Sequence, residues 1–215
     1  MIKAKGICKS YKNKIVLENI DFEMAAGGAA VIVGRNGSGK STFLSILGGF
    51  LRPDTGNVEY LPGFVAFCPQ ENNLFDELSV NDNLRFWHAA SDGNNNNVLL
   101  LASMLGLDNH MRKKVKHLSG GMKKSLAICC AVSGDPYIVI LDEPFAGLDI
   151  FHKKALLDVF RHLQAQGKTI LYSSHSIDEI CGLDADIYIL VDAQLKRYIP
   201  ETKGLDMLDA LLERL

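Results

Sequence analysis

An α/β fold is predicted for this 215-residue chain, with a mainly parallel central sheet, an N-terminal antiparallel β subdomain and an inserted α-helical subdomain. Three patterns predict it. Short apolar runs at 29–33, 137–141 and 168–174 read as strands. The second is continuous and ends in Asp142-Glu143, as expected of a central parallel strand buried on both faces. Two partly alternating stretches near the N-terminus read as an antiparallel pair. Between the strand-rich ends, residues 80–132 carry apolar side chains at helical spacing.

Taken in order, residues 2–10 and 15–24 form the antiparallel pair, joined by the polar turn Tyr11-Lys12-Asn13-Lys14. Gly27-Gly28 turns the chain into the strand at 29–33. A glycine-rich stretch follows, then a helix from Lys40 that ends near Gly48-Gly49. Arg52-Pro53-Asp54-Thr55-Gly56 signals a turn. Residues 57–60 and 64–68 read as short strands, broken at Leu61-Pro62-Gly63. In the helical block Leu84, Trp87 and His88 share one face, and residues 98–105 form a second helix. The segment 91–97 is too polar to pack and reads as an exposed loop. A third helix starts after Leu118-Ser119-Gly120-Gly121 and runs to Ser133. Phe86 and Trp87 read as packing residues, and the basic run 112–117 as a solvated face. Beyond the strand at 137–141 come a helix from Phe151 to about Gln166, the strand at 168–174 ending at His175, and a short helix at 178–182. A strand at 186–191 and an edge strand at 194–199 complete the sheet. Leu205, Leu208, Leu211, Leu212 and Leu215 follow at helical spacing and are expected to dock on the core. The expected organisation is one domain over 1–215. Residues 1–78 and 135–215 supply the α/β core with its antiparallel subdomain, and 79–134 the helical subdomain.

Composition excludes several classes. The chain is 47% hydrophobic and 22% charged, with a formal net charge of -2 and a pI near 6.3. That balance provides no global basic field for nucleic acid. The five cysteines, at 8, 68, 129, 130 and 181, include no C-x-x-C pair. They read as small buried hydrophobes in a reducing compartment, without a disulfide framework or a zinc site. The N-terminus lacks a signal-peptide apolar run. No uncharged apolar stretch approaches the about 20 residues of a membrane span. The chain alone is therefore expected to be soluble, with any membrane role supplied by a partner.

The chemistry concentrates in Gly34-Arg35-Asn36-Gly37-Ser38-Gly39-Lys40-Ser41-Thr42, which fits G-x-x-x-x-G-K-[ST] and predicts a P-loop nucleoside triphosphatase. A polyphosphate can be surrounded by backbone N–H groups only where side chains do not obstruct the approach, and the glycines remove that obstruction. Lys40 can reach the β- and γ-phosphates, and the Ser41 hydroxyl can ligate Mg²⁺. The strand before the loop and the helix after it aim a positive helix terminus at the phosphates. Asp142 and Glu143 end the most hydrophobic strand, at the sheet edge where ligands bind in open α/β folds. Asp142 there can hold Mg²⁺, and Glu143 can orient or deprotonate a water. Ser119-Gly120-Gly121, at a helix start, makes a second anion site. One nucleotide does not need two cradles, so the second is read as serving a nucleotide held by another subunit.

With these motifs in this order, from Tyr11 to His175 and beyond, the chain resembles the ATP-binding-cassette ATPases, the nucleotide-binding subunits of ABC transporters. The resemblance implies ATP and Mg²⁺ as ligands. It makes 34–42 the Walker A loop, so that Asn36, Gly37, Ser38, Gly39, Lys40, Ser41 and Thr42 bind nucleotide, and Tyr11 the aromatic that stacks on adenine. Gln70 matches the glutamine that contacts Mg²⁺ and water and senses the membrane partner. Leu118 to Met122 matches the signature motif, in which Ser119, Gly120 and Gly121 bind phosphate. Asp142 is implied as a metal ligand with Ser41 and Gln70, and Glu143 as the catalytic carboxylate. Asp149 falls in the D-loop, and His175 matches the switch histidine. Met122 departs from the usual Gln, and Lys123-Lys124 stand where Arg is often found. The implied partners are a second cassette, identical or related, and separate membrane-spanning permease subunits on the cytoplasmic face of the cell membrane. No direct nucleic-acid contact is expected. The stretch 69–80 resembles export-type cassettes. The alternative is a soluble cassette ATPase acting on a non-transport protein or nucleic-acid assembly.

Overall fold

The structure, a computed structural model, describes residues 1–60, 64–91 and 97–199. In chain order its strands are β1 (Ile2–Tyr11), β2 (Lys14–Met24), β3 (Ala29–Val33), β4 (Thr55–Tyr60), β5 (Val65–Cys68), β6 (Ile138–Leu141), β7 (Thr169–Ser174), β8 (Asp186–Val191) and β9 (Gln194–Tyr198). Its α-helices are α1 (Lys40–Leu47), α2 (Val80–Ala90), α3 (Val98–Met104), α4 (Gly120–Val132), α5 (Ile150–Ala165) and α6 (Ile177–Cys181).

Among the described residues there are two sheets. The larger has the order β5-β6-β7-β3-β8-β9, parallel throughout except for the antiparallel edge strand β9. The smaller, β2-β1-β4, is antiparallel. The two short strands read at 57–60 and 64–68 therefore part company: β4 joins the N-terminal sheet and β5 the edge of the parallel one.

Side-chain alternation explains the layering. In β3, β6 and β7 every residue is buried, yet successive residues serve different cores. Val31, Val33, Val139, Leu141, Ile170 and Tyr172 join one cluster, with α3, α4 and α5. Ala30, Ile32, Ile138, Ile140 and Leu171 join the other, with Phe43, Leu44 and Leu47 of α1 and the inner face of β1 and β2. A strand of period two between two apolar layers has no polar face, which is why these runs are continuous in the sequence.

The middle block departs from an all-helical reading. Among the described residues, 105–119 form only short 3-10 turns, Asp108–His110 and Val115–His117, with connecting turns. Gly106 takes a left-handed φ of +71° directly after α3. Leu107, Val115 and Leu118 are drawn into the core; their spacing would also suit one helix face, but the backbone turns between them instead of continuing as a helix. The basic residues of the run 112–117 are exposed, as expected of a solvated face, and Lys114 and Lys116 pair with Glu77, the latter at 2.9 Å. Trp87 packs against the core, as expected, and His88 places Nδ1 3.2 Å from Ser133 O. Residues 92–96 of the polar loop and the C-terminal leucine stripe lie outside the described residues. No described helix is long and apolar enough to cross a membrane.

Candidate nucleotide site

The glycine-rich loop runs from the end of β3 to the start of α1. Gly39 caps α1 with φ +109°, and a Cβ there would lie 2.8 Å from Val16 Cγ1, so both conformation and space select glycine. Lys40 folds back over the loop and donates to Gly34 O at 2.8 Å and Arg35 O at 3.2 Å. Burial pushes its pKa down, while Glu143 and Asp142 favour the charged form. Ser38 Oγ is buried without a hydrogen-bond partner, a polar atom that an anion in the loop would satisfy.

The carboxylates enter from β6. Asp142 is 3% exposed, and its N–H donates to Cys68 O at 2.9 Å. Ser173 Oγ, at the end of the neighbouring β7, donates to Asp142 Oδ1 at 2.7 Å and accepts from Glu143 N at 2.8 Å. Glu143 has φ +44°, a left-handed conformation that costs a non-glycine residue roughly 1–3 kcal/mol and clusters at functional sites. Its carboxylate meets three other predicted residues. Gln70 Nε2 lies 3.3 Å from Oε2. Lys40 Nζ and His175 Nδ1 lie 3.9 and 3.8 Å from Oε1.

Lys40, Gln70 and Glu143 share a cleft of about 410 Å³ that is also lined by Tyr11, Val16, Asn36, Gly37, Gly39, Ser41 and Thr42, whereas Asp142 and His175 lie outside its lining. Tyr11 is 48% exposed, and Lys9 Nζ lies 5.8 Å from its ring centroid. The cleft thus combines an exposed aromatic face, a glycine-rich anion cradle, a buried ammonium and a carboxylate, which is the set needed to bind and hydrolyse a purine triphosphate. The donor set also suits Mg²⁺. Among the described residues no group of three or more His, Cys, Asp or Glu could hold a metal by itself. Ser41 and Asp142 supply hard oxygen donors, and Mg²⁺ is usually held by one or two carboxylates together with substrate phosphates.

Ser119, Gly120, Gly121 and Asp149 do not line this cleft. Ser119 caps α4, its Oγ accepting from Met122 N at 3.2 Å. A Cβ on Gly120 would meet nothing within 4 Å, and one on Gly121 would lie 3.3 Å from Leu148 Cδ2. The Met122 side chain packs against the core. Asp149 caps α5, accepting from Phe151 N and His152 N at 2.9 Å each. Hydrogen bonds from the His152 backbone and ring and from Phe151 N hold its carboxyl below the usual range. Within one chain, then, the predicted residues form two groups.

Two residues that sequence reasoning missed belong to this geometry. Ser173 bridges Asp142 and Glu143; its one signal is a hydroxyl near the end of an apolar strand. Lys124 is buried behind Gln70.

Comparison with known proteins identifies the family. A family model described as ABC transporter matches residues 17–146. An uncharacterized ABC transporter ATP-binding protein of Methanocaldococcus jannaschii is 33% identical over 92% of this chain and 76% of its own. The linearmycin resistance ATP-binding protein LnrL of Bacillus subtilis is 30% identical over 84% of this chain and 63% of its own. The Nod factor export ATP-binding protein I of Mesorhizobium japonicum is 33% identical over 81% of this chain and 56% of its own. Among solved structures, the dimeric structure of a bacterial ABC transporter cassette superposes with a TM-score of 0.81 at 26% identity, covering 92% of this chain and 97% of that one. An apolar-cored α/β sheet, a phosphate loop, a strand-end carboxylate pair and this similarity over most of the chain agree: the protein belongs to the ABC transporter family, as an ATP-hydrolysing cassette subunit.

Proposed function

We propose that ATP is hydrolysed between two cassettes arranged head to tail, identical or related, and that their closing and opening drives separate membrane-spanning permease subunits. The observation that carries this reading is the separation of the two groups. Ser119-Gly120-Gly121 present an open cradle outside the cleft that holds Lys40 and Glu143, so the cradle serves a nucleotide bound to the partner cassette. The chain works as a single unit over 1–215, with residues 79–134 as the helical subdomain that carries the cradle.

In this reading Tyr11 stacks on adenine, and the N–H groups of the loop from Asn36 to Thr42 surround the phosphates. Lys40 exchanges its carbonyl partners for phosphate oxygens. Glu143 and Gln70 orient the attacking water, Glu143 accepts its proton, and His175 contacts the γ-phosphate. Phosphoryl transfer to water has a loose transition state, so these groups act by position and charge. Ser41, Asp142 and Gln70 would hold Mg²⁺, which would supply positive charge to offset that of the phosphates. Asp149 at the α5 terminus reaches the partner cassette beside Ser119. With ATP as the bridge between subunits, hydrolysis removes the bridge.

A groove of about 130 Å³ beside the Gln70 segment, lined in part by Phe50, Phe67, Pro69, Trp87, Ala127 and Ala131, supports docking of a permease on the cytoplasmic face. Phe50 is 68% exposed there, and Trp87 Nε1 is buried without a partner. The relatives' names, linearmycin resistance and Nod factor export, support an export-type system. Replacement of Glu143 by Gln tests the catalytic reading. It should keep ATP binding, slow hydrolysis by about 100-fold or more, and yield an ATP-dependent dimer by light scattering. Undiminished turnover would remove Glu143 from catalysis, and a monomer in saturating ATP-Mg would remove the head-to-tail pair.

A further inference from the structure

The segment that carries Gln70 is fastened to the helix that carries the second cradle. Lys124, on the second turn of α4, is 4% exposed. Its ammonium donates to Pro69 O at 3.2 Å and to Gln70 O at 3.0 Å. Burial lowers its pKa, and nearby Cys68, Asp142 and Glu143 oppose that shift. Farther along, Lys123 pairs with Asp76 at 2.8 Å, and Lys116 N donates to Asp76 O at 3.0 Å. The Lys123 pair is partly exposed and contributes little. The Lys124 contacts differ: a cation removed from water, bonded to two carbonyls, holds them with charge-assisted strength. Removing the cation leaves both carbonyls without that donor.

We propose that Lys124 is a positioning residue: by gripping the carbonyls of Pro69 and Gln70 it sets the Gln70 amide against Glu143 and makes that contact follow α4. The Gln70 side chain is 3.3 Å from the Glu143 carboxylate, and the opposite end of the link is the α4 terminus formed by Ser119, Gly120 and Gly121. A nucleotide that engages Ser119 from the partner cassette displaces α4, and Lys124 carries the displacement to Gln70 in this cassette's own cleft. A basic side chain suits the task because several N–H donors on one flexible stem can reach two carbonyls. This inference rests on the roles assigned to Gln70 and Glu143 above.

Steady-state ATP hydrolysis by the full-length chain tests it, with Lys124→Met, Lys124→Arg, Gln70→Ala and the Lys124→Met/Gln70→Ala double variant. K124M keeps the length of the side chain and removes its donors. The expected result is a kcat roughly tenfold lower with KM for ATP within about twofold, the pattern of an interaction made during turnover rather than binding. K124R restores most of the rate. The double variant is no slower than Q70A alone, because both substitutions remove one linked contact. If K124M does not fold by circular dichroism, Lys124→Gln, which keeps one donor group, takes its place in the same comparison. A wild-type kcat in the Lys124 variant, or losses that multiply in the double variant, overturns the inference while Q70A alone remains slow. Q70A at the wild-type rate overturns the role of Gln70 and this inference together, leaving Glu143 to its own test.

Discussion

Ser173 donates its hydroxyl hydrogen to Asp142 across the β6–β7 boundary at 2.7 Å. The same oxygen receives the N–H of Glu143 at 2.8 Å, so a single hydroxyl fixes one carboxylate directly and the other through its left-handed backbone. Ser173 itself is fully buried, and the Leu141↔Tyr172 register brings it beside Asp142. Ser173→Ala should leave the Glu143 N–H without a partner, a loss of about 1–3 kcal/mol for a buried donor. The expected outcome is hydrolysis slowed by roughly tenfold or more with ATP affinity nearly unchanged, since no side chain that holds nucleotide is removed. Ser173→Thr, which keeps the hydroxyl, should retain most of the rate. Equal rates for the alanine variant and the wild type would remove Ser173 from the site.

Thiol reactivity should divide the cysteines by burial. Cys68, Cys129 and Cys130 are buried, Cys8 is half-buried and Cys181 is exposed. Burial pushes the Cys129 thiol up to about 12 and raises Cys130 further, with Cys129 and Cys68 adding to the shift. A raised pKa lowers the thiolate fraction, and the thiolate is the nucleophile. At pH 8, therefore, maleimide should label Cys181 and then Cys8, and the other three only after unfolding. Rapid modification of Cys129 or Cys130 in the native protein, located by peptide mass spectrometry, would contradict the packing described for α4.

Phe145 links catalysis to stability. It is 1% exposed and packs edge-on against Phe160 and Tyr172, with centroids 5.5 and 5.9 Å away. Its place is two residues after Glu143, so its ring anchors the turn behind the carboxylate. Phe145→Ala should cost about 3–5 kcal/mol, the usual range for an aromatic removed from a closed core. Urea unfolding should show a lower midpoint at an unchanged slope.

What was legible in the sequence was local. The loop from Gly34 to Thr42 declares itself by spacing, because wrapping a phosphate constrains consecutive residues. Asp142-Glu143 declares itself by ending an apolar run. Ser173 does not, since its role depends on which strand lies beside β6, and register is not written within either strand. Lys124 follows Lys123 in a pair that carries no local sign of burial; lysine is seldom buried, and its two carbonyl partners are 54 and 55 residues away in the chain. Residues 105–119 had helical spacing in outline, but the left-handed Gly106 and the pairing of Ser79 with Lys114 give them another course.

Gly120 offers the sharpest separation of fold from function. It is the first residue of α4, its φ is not in the left-handed region, and a Cβ there would meet nothing within 4 Å. Nothing in the isolated chain therefore requires glycine. Gly120→Ala should raise stability by about 0.4–1 kcal/mol, because alanine narrows the unfolded ensemble where the native conformation accepts it. If the space above Gly120 is filled by a triphosphate held on the partner cassette, the added methyl group must be met by that ligand. ATP-dependent dimerisation, measured by light scattering in a Glu143→Gln background, should then weaken by tenfold or more by order of magnitude, as expected when a close packing contact is lost to overlap. ATP binding to the monomer should be unaffected, since Gly120 is absent from the cleft lined by Lys40 and Glu143. A variant that dimerises as well as its parent would show that the space above Gly120 stays open in the assembled state. The second cradle would then have no nucleotide to serve.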